Sequence, residues 1–145
     1  MKATTNNVYI LASVFLWIGF VGAISFMEAW LKFQEPTLTL SVGLGIGKLV
    51  FNALNKVELV LATIILLTLY RTSKKIFLWR NLFFLIPLAI LIFQTLILLP
   101  ILDARAIAII ENNPVPISNA HLYYVGLEVV KVTTLFIYGI NIYKT

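Results

Sequence analysis

Four long apolar stretches, separated by short polar segments, make up most of this chain of 145 residues. They run from about residue 8 to 31, 48 to 70, 82 to 102 and 122 to 143. Each is close to the ~20 residues that an α-helix needs to cross ~30 Å of hydrocarbon at about 1.5 Å per residue. The pattern predicts an all-α protein, an integral membrane four-helix bundle that forms a single domain.

The third apolar stretch contains two prolines, Pro87 and Pro100. Proline removes a backbone donor and clashes with the preceding turn, so we expect these residues to kink this helix or to end it. Membrane helices tolerate such breaks where neighbouring helices satisfy the freed carbonyls. Small residues in the first and fourth stretches predict places where helix backbones approach closely: Gly19, Gly22, Ser25, Gly126 and Gly139.

The connection between the first and second stretches predicts a different local structure. From Thr37 to Val42 the residues alternate in a way that is typical of a short strand or an extended segment at the membrane interface. Gly43, Gly45 and Gly47 follow, and we expect them to let the chain turn before the second helix begins.

Basic residues predict the orientation in the membrane. The segment between the second and third stretches contains no acidic residue and four basic ones, Arg71, Lys74, Lys75 and Arg80. The positive-inside rule places this segment in the cytoplasm. With four spans, both termini are then cytoplasmic, which agrees with Lys2 and Lys144.

An alternative interpretation takes the first stretch as a cleaved signal peptide. Lys2 would be its basic start, and Ala23-Ile24-Ser25 resembles a small-residue cleavage site. The apolar run before that site is longer than the core of a usual signal peptide and continues into Phe26, so an uncleaved first helix fits better.

Polar and ionisable side chains lie inside three of the apolar stretches: Glu58, Gln94, Glu128 and Lys131. Such groups are costly in lipid and commonly mark functional sites. Counting outward from the cytoplasmic helix ends at about 1.5 Å per residue places these four side chains roughly 6 to 10 Å below the outer boundary, with Asn55 level with Glu128. These five residues predict one outward-facing polar pocket. Its predicted mouth is formed by Glu28, Asp103, Arg105 and His121.

Helical spacing gives the polar residues common faces. One stripe contains His121, Tyr124, Glu128, Lys131, Leu135 and Tyr138, and the other contains Lys48, Asn52, Asn55 and Glu58. We therefore expect Glu58 to reach Lys131 across the bundle, and Glu128 to pair with Lys131 along their own helix.

Composition excludes several classes of protein. With 61% hydrophobic and 12% charged residues, the chain is too apolar for an ordinary soluble domain. The positive-inside pattern explains the net charge of +5, so we expect no nucleic-acid partner. The chain has no cysteine, which excludes thiolate metal sites and cysteine nucleophiles. A single histidine, His121, excludes bis-histidine haem ligation and a two-histidine, one-carboxylate metal site. A carboxylate-plus-histidine metal site stays open, and we expect no cofactor.

Three segments carry a resemblance to a known group of proteins: SFMEAWLKFQEPTLTLSVGLGIGKLVFNALNKVELVLA, LILLPILDARA and HLYYVGLEVVK. Their layout resembles small uncharacterised bacterial four-helix membrane proteins of the domain-of-unknown-function type related to the transmembrane protein 205 family. The positions that carry it are Phe33, Pro36, Gly47, Phe51 and Glu58. The resemblance covers most of the chain. It implies the four-helix fold and a location in the bacterial cytoplasmic (inner) membrane, but no activity.

Three classes of function are compatible with this sequence. The favoured one is a protein that binds or passes a small cation, proton or polar solute in the outward-facing pocket. The alternative is a structural or accessory membrane subunit whose buried Glu/Lys network only organises the bundle, or docks a partner protein. An enzyme ranks last because the chain contains no H-E-x-x-H, G-x-S-x-G or paired acidic metal motif. The lipid bilayer is the expected environment. Four helices leave little room for a pore unless the protein forms a homo-oligomer.

Overall fold

The computed structural model describes residues 5–73 and 81–144, and all regular structure in these two ranges is helical. There are four long helices. They are α1 (Asn6–Gln34), α2 (Leu40–Ser73), α3 (Leu82–Ile110) and α4 (Ala120–Tyr143). Each is long and apolar enough to cross a membrane. The prediction of an all-α fold with four such helices is therefore confirmed.

Part of the basic segment between α2 and α3 lies outside the described residues. Lys74, Lys75 and Arg80 belong to that part, and Lys2 at the N-terminus also lies outside the described residues. The orientation inferred from these residues, and the signal-peptide alternative that uses Lys2, stay predictions.

Helix α2 begins earlier than the alternating pattern indicated. Thr39 precedes its first residue, Leu40, and the Thr39 hydroxyl accepts a hydrogen bond from the backbone N–H of Val42 at 3.4 Å. This is the position of an N-cap, where threonine satisfies a free donor of the first turn. The predicted strand or extended segment from Thr37 to Val42 is therefore wrong for the part that begins at Leu40.

The glycines that follow lie within helix α2 and do not form a turn before it. At Gly43, an added Cβ would overlap the Phe33 ring, and at Gly47 it would lie 2.9 Å from Lys32 Nζ. These two glycines therefore let the end of α1 pack directly against the start of α2, which corrects the role expected for them.

Helix α3 continues through both of its prolines to Ile110, so the expectation that Pro87 or Pro100 ends the helix is wrong. The segment Gln94–Leu98, which lies just before Pro100, is π-helical. Its wider turn is closed by a hydrogen bond from the N–H of Leu99 to the carbonyl of Gln94, five residues back. This wider turn fits a helix in which Pro100 has no backbone N–H to donate. A second π-helical segment, Gly22–Glu28, lies in α1.

The end of α3 is closed by a Schellman motif. Asn112 has a φ of 59°, and the N–H of Asn113 donates to the carbonyl of Ala108 at 2.9 Å. In the loop that follows, the carbonyl of Pro116 accepts a hydrogen bond from Arg105 Nη2 at 2.8 Å. Arg105 therefore holds the loop of residues 111–119 against α3.

An apolar core fills the half of the bundle that is distant from the loops of residues 35–39 and 111–119. All four helices contribute to it, with Ile10, Val14, Leu61, Ile65, Leu69, Phe84, Leu91, Leu135 and Ile142 among its buried side chains. In this half the rings of Phe84 and Tyr138 lie 5.6 Å apart. The loop half of the bundle contains the buried polar side chains Asn55, Glu58, Gln94, Glu128 and Lys131.

Small residues allow close backbone packing at one of the predicted glycines. At Gly139, an added Cβ would lie 3.3 Å from side-chain atoms of Val14 and Phe15, so α1 and α4 approach closely there. The same prediction is wrong for Gly19, Gly22 and Gly126, where an added Cβ would meet nothing within 4 Å.

Candidate functional site

The polar residues of α2 and α4 lie on the faces that these helices turn towards each other. On α4 the buried positions include Tyr124, Glu128 and Lys131, spaced by four and three residues. On α2 they include Asn55 and Glu58, spaced by three. Residues three or four apart share one side of a helix, so this spacing brings the ionisable groups together between the two helices.

Lys131 is hydrogen-bonded to two carboxylates. Its Nζ lies 2.6 Å from Glu58 Oε1, across the bundle, and 3.1 Å from Glu128 Oε1, on the same helix. All three side chains are 0% exposed. The predicted contacts of Lys131 with Glu58 and with Glu128 are confirmed.

Two further side chains complete this arrangement. Trp17 Nε1 of α1 donates to Glu58 Oε1 at 2.7 Å, and Gln94 Nε2 of α3 donates to Glu128 Oε1 at 3.0 Å. Both side chains are fully buried. We call Trp17, Glu58, Gln94, Glu128 and Lys131 the buried cluster. Each of the four helices supplies at least one of its members.

Trp17 is a member that the sequence reasoning missed. The depth count followed ionisable groups and Gln94, whereas tryptophan counts as apolar. A signal was nevertheless present, since Trp17 lies in the middle of the first apolar stretch and not at a membrane interface, where tryptophan is common. A buried indole N–H usually finds an acceptor, which points to a polar partner on another helix.

The buried cluster leaves some of its oxygen atoms unused. Within the described part of the chain, Glu58 Oε2, Glu128 Oε2 and Gln94 Oε1 have no hydrogen-bond partner, and neither has the buried hydroxyl of Tyr124, which lies beside Glu128. Buried polar atoms are nearly always hydrogen-bonded, so three such oxygens in one cluster are unusual. The cluster can therefore accept further protons or hydrogen-bond donors without breaking its existing contacts.

Asn55 belongs to a different contact. Its Nδ2 donates to the hydroxyl of Thr95 at 2.7 Å, and that hydroxyl donates to the carbonyl of Leu91 at 2.7 Å. Asn55 therefore joins α2 to α3 beside the buried cluster, with no hydrogen bond to a carboxylate of it among the described residues.

A cavity of about 290 Å³ lies closer to the loops than the buried cluster, between the end of α1, the starts of α2 and α4, and α3. Its lining residues are Ala29, Lys32, Phe33, Gly43, Leu44, Gly47, Lys48, Phe51, Leu99, Leu102, Asp103, Ala106, His121 and Tyr124. None of the five predicted pocket residues lines it. The expected pocket lined by Glu58, Asn55, Gln94, Glu128 and Lys131 is therefore a closed cluster beside a separate cavity.

Two aromatic rings lie at the inner side of this cavity. Phe51 and Tyr124 pack edge to face with ring centroids 5.5 Å apart, and both line the cavity. The carbonyl of Tyr124 accepts a hydrogen bond from Gln94 Nε2 at 3.4 Å, so Tyr124 also touches the buried cluster. The hydrogen bonds among Glu58, Gln94, Glu128 and Lys131 place these side chains in one layer, as depth counting predicted. Depth counting gave no information on access, which these aromatic side chains determine.

The four predicted mouth residues divide into two groups. Asp103 and His121 line the cavity, as predicted. Glu28 is not a lining residue, although it forms an ion pair at 3.1 Å with Lys32, which is one. Arg105 bonds the loop of residues 111–119 and does not line the cavity, which corrects its assignment.

Within residues 5–73 and 81–144 there is no group of three or more His, Cys, Asp or Glu side chains that could hold a metal ion.

Comparison with known proteins adds no assignment. No protein family, no characterised protein and no solved structure is detectably similar to this chain. The resemblance in layout to the transmembrane protein 205 relatives stays a prediction.

Proposed function

We propose that this chain is an integral membrane protein of the bacterial cytoplasmic membrane whose buried cluster carries one exchangeable proton. The apolar outer surface of the bundle supports the membrane location. Large apolar side chains are exposed on every helix, for example Phe20, Val60, Leu96 and Val130. Soluble monomers rarely expose apolar patches of such extent, whereas lipid covers them at no cost.

The charge of the buried cluster is the observation that carries the proton proposal. With Glu58 and Glu128 ionised and Lys131 protonated, two negative charges face one positive charge, and the sum is −1. An uncompensated charge that is fully removed from water is strongly unfavourable. One additional proton on the cluster removes that charge, and the unused carboxylate oxygens Glu58 Oε2 and Glu128 Oε2 are free to take it.

A proton fits the cluster better than a metal cation does. The ammonium group of Lys131 already occupies the position between the two carboxylates, at 2.6 and 3.1 Å from their oxygens. A metal ion bound to both carboxylates would have to displace it. A proton adds no volume to a closed, fully buried group of side chains.

The cavity supplies a route by which such a proton reaches the cluster. Tyr124 lines the cavity and contacts Gln94, which in turn donates to Glu128. Movement of the Tyr124 side chain, about one helical turn from Glu128, would connect the carboxylates with the solvent in the cavity. The proposed function is therefore reversible proton binding, with exchange through the cavity.

The proposed orientation can be tested by cysteine labelling, since the chain has no cysteine of its own. The loop of residues 111–119 should lie outside and the end of α2 in the cytoplasm. We expect Ile117→Cys, at a fully exposed position, to react in intact cells with a membrane-impermeant maleimide. Arg71→Cys should react only after the cells are permeabilised. The reverse pattern, or equal labelling of both, would contradict this topology.

The proposed proton can be tested by infrared spectroscopy of the purified protein, which separates the C=O band of a protonated carboxyl from the bands of a carboxylate. We expect such a band in the wild type. Glu58→Gln and Glu128→Gln should each abolish it, because one carboxylate and one ammonium then balance. Lys131→Met should increase it, because two carboxyls then lack a counter-charge.

The matched control is Glu111→Gln, which removes an exposed carboxyl and should leave the band unchanged. Absence of the band in the wild type, or its persistence in both glutamine variants at the wild-type intensity, would overturn the proposal. Bleaching of the wild-type band as the pH is raised shows that the proton exchanges, and a band that never bleaches contradicts reversible binding.

A structural role is the second candidate, and one observation favours it. The buried cluster joins all four helices through Trp17, Glu58, Gln94 and the α4 pair of Glu128 and Lys131. Directional contacts of this kind fix the rotation and height of each helix against the others, which apolar contacts alone do not. In that case these groups would be required to arrange the helices, and the cluster would carry no exchangeable proton.

A further inference from the structure

The cavity contains an unpaired base and an unpaired acid beside an apolar wall. Most of its lining side chains are apolar, among them Leu44, Leu99 and Leu102. Its basic and acidic lining residues are Lys32, Lys48, Asp103 and His121. Lys32 is paired with Glu28 outside the lining, which leaves Lys48 and Asp103 as opposite charges in the lining that form no ion pair with any described residue.

Lys48 has no counter-charge among the described residues, since no acidic side chain there lies within ion-pair distance of its ammonium group. It directly follows Gly47 on α2 and is half-buried. A base in this position has lost part of its hydration without gaining an anion. It is therefore suited to bind the anionic group of a molecule in the cavity.

Asp103 is the complementary group. Its Oδ2 accepts a hydrogen bond from Asn52 Nδ2 at 2.8 Å, and no base among the described residues forms an ion pair with it. Asn52 Nδ2 also donates to the carbonyl of Lys48 at 2.8 Å. Asn52 thus holds the Asp103 carboxylate close to the backbone of Lys48, so these two residues are neighbours in the wall of the cavity, although their charged groups form no ion pair with each other.

We propose that this cavity binds a small zwitterion with a bulky apolar side chain, of which an apolar α-amino acid is the simplest form. Lys48 binds its anionic group, Asp103 binds its cationic group, and the apolar wall takes the side chain. The volume of about 290 Å³ lies at the lower end of ligand pockets, which range from about 300 to 1,000 Å³, and so favours a small molecule. This site is distinct from the buried cluster and does not depend on the proton proposal.

Four related probes test the charge pattern directly. Leucine carries both charges, N-acetylleucine only the negative one, leucine methyl ester only the positive one, and glycine both charges without the apolar side chain. Binding to the protein in lipid nanodiscs is measured by titration calorimetry, with empty nanodiscs as the blank. We expect leucine to bind at least about tenfold more tightly than each of the other three, since each lacks one contact worth about 1.5 kcal/mol or more.

Two variants assign the charges to residues. Lys48→Met should weaken the binding of leucine and of N-acetylleucine by about tenfold or more, and leave the binding of the methyl ester unchanged. Asp103→Asn should weaken the binding of leucine and of the methyl ester to a similar degree, and leave the binding of N-acetylleucine unchanged. Lys56→Met is the matched control because Lys56 is an exposed lysine of the same helix that does not line the cavity, and this variant should bind all four probes as the wild type does.

Several outcomes would overturn this inference. If leucine and N-acetylleucine bind with equal affinity, the cavity recognises only the anionic group. If leucine and its methyl ester bind with equal affinity, the cavity recognises only the cationic group. If glycine binds as tightly as leucine, the apolar side chain does not contribute to recognition. Failure of all four probes to bind, in protein whose unfolding transition is intact, would exclude this ligand class.

Discussion

Replacing Lys131 with methionine is expected to lower the free energy of unfolding by about 3–5 kcal/mol. Methionine fills much of the same space, so the loss comes from charge and not from volume. Glu58 and Glu128 would face each other, fully buried, without the ammonium group that now lies 2.6 and 3.1 Å from their oxygens. The measurement is chemical or thermal unfolding of the purified protein in a mild detergent.

Lys56→Met is the appropriate comparison, because Lys56 is exposed on α2 and has no ion pair within the described residues. We expect this control to change stability by less than about 0.5 kcal/mol, as surface substitutions usually do. A Lys131→Met protein as stable as the control would mean that the two carboxylates do not need their counter-charge, and it would remove the electrostatic basis of the buried cluster.

The Glu58–Lys131 contact could be predicted from the sequence because two simple regularities determine it. The rise of an α-helix fixes depth, and its period of 3.6 residues fixes the face. Glu58 on α2 and Lys131 on α4 agreed in both, and the cost of leaving either group in an apolar environment made their pairing the favourable solution. The same reasoning placed Gln94 in the same polar layer as Glu128, to which it donates a hydrogen bond at 3.0 Å.

Three other features could not be predicted in this way. The π-helical turn at Gln94–Leu98 inserts an extra residue into α3, so buried positions fall on both Leu98 and Leu99 and a single helical period no longer describes the inward face. The alternating residues from Thr37 to Val42 gave a strand signal, whereas Thr39 caps a helix that begins at Leu40. In both places, local hydrogen bonds determine the backbone conformation, and the average period of the sequence does not reveal them.

Access to the polar groups was the third feature. The sequence places Phe51 and Tyr124 on the same faces as the polar residues, and nothing in their spacing indicates that the two rings pack against each other at 5.5 Å. This contact depends on side-chain directions and on the distance between α2 and α4. Instead of the predicted outward-facing polar pocket there is a closed cluster and a separate cavity, and this changes which residues are available to a ligand.

Replacing the whole buried cluster with apolar residues should have the opposite effect to removing Lys131 alone. In this variant Trp17 becomes Phe, and Glu58, Gln94, Glu128 and Lys131 become Met. No buried donor or charge of the cluster is left without a partner. Substituting buried ion pairs with apolar residues of similar volume is often neutral, or stabilising by about 1–4 kcal/mol. We expect the free energy of unfolding of this variant, measured in the same detergent, to equal or exceed that of the wild type. We also expect no infrared band of a protonated carboxyl.

This result would separate the two functions proposed for the cluster. A stable, uniquely folded apolar variant would show that the charges are not required to hold the helices together, which leaves proton binding as the reason for their presence. A variant less stable than Lys131→Met, or one whose Ile117→Cys and Arg71→Cys labelling loses its sidedness, would show that the buried contacts set the helix arrangement. The structural role would then be the better explanation of Glu58, Glu128 and Lys131, because apolar packing alone would have failed to replace them.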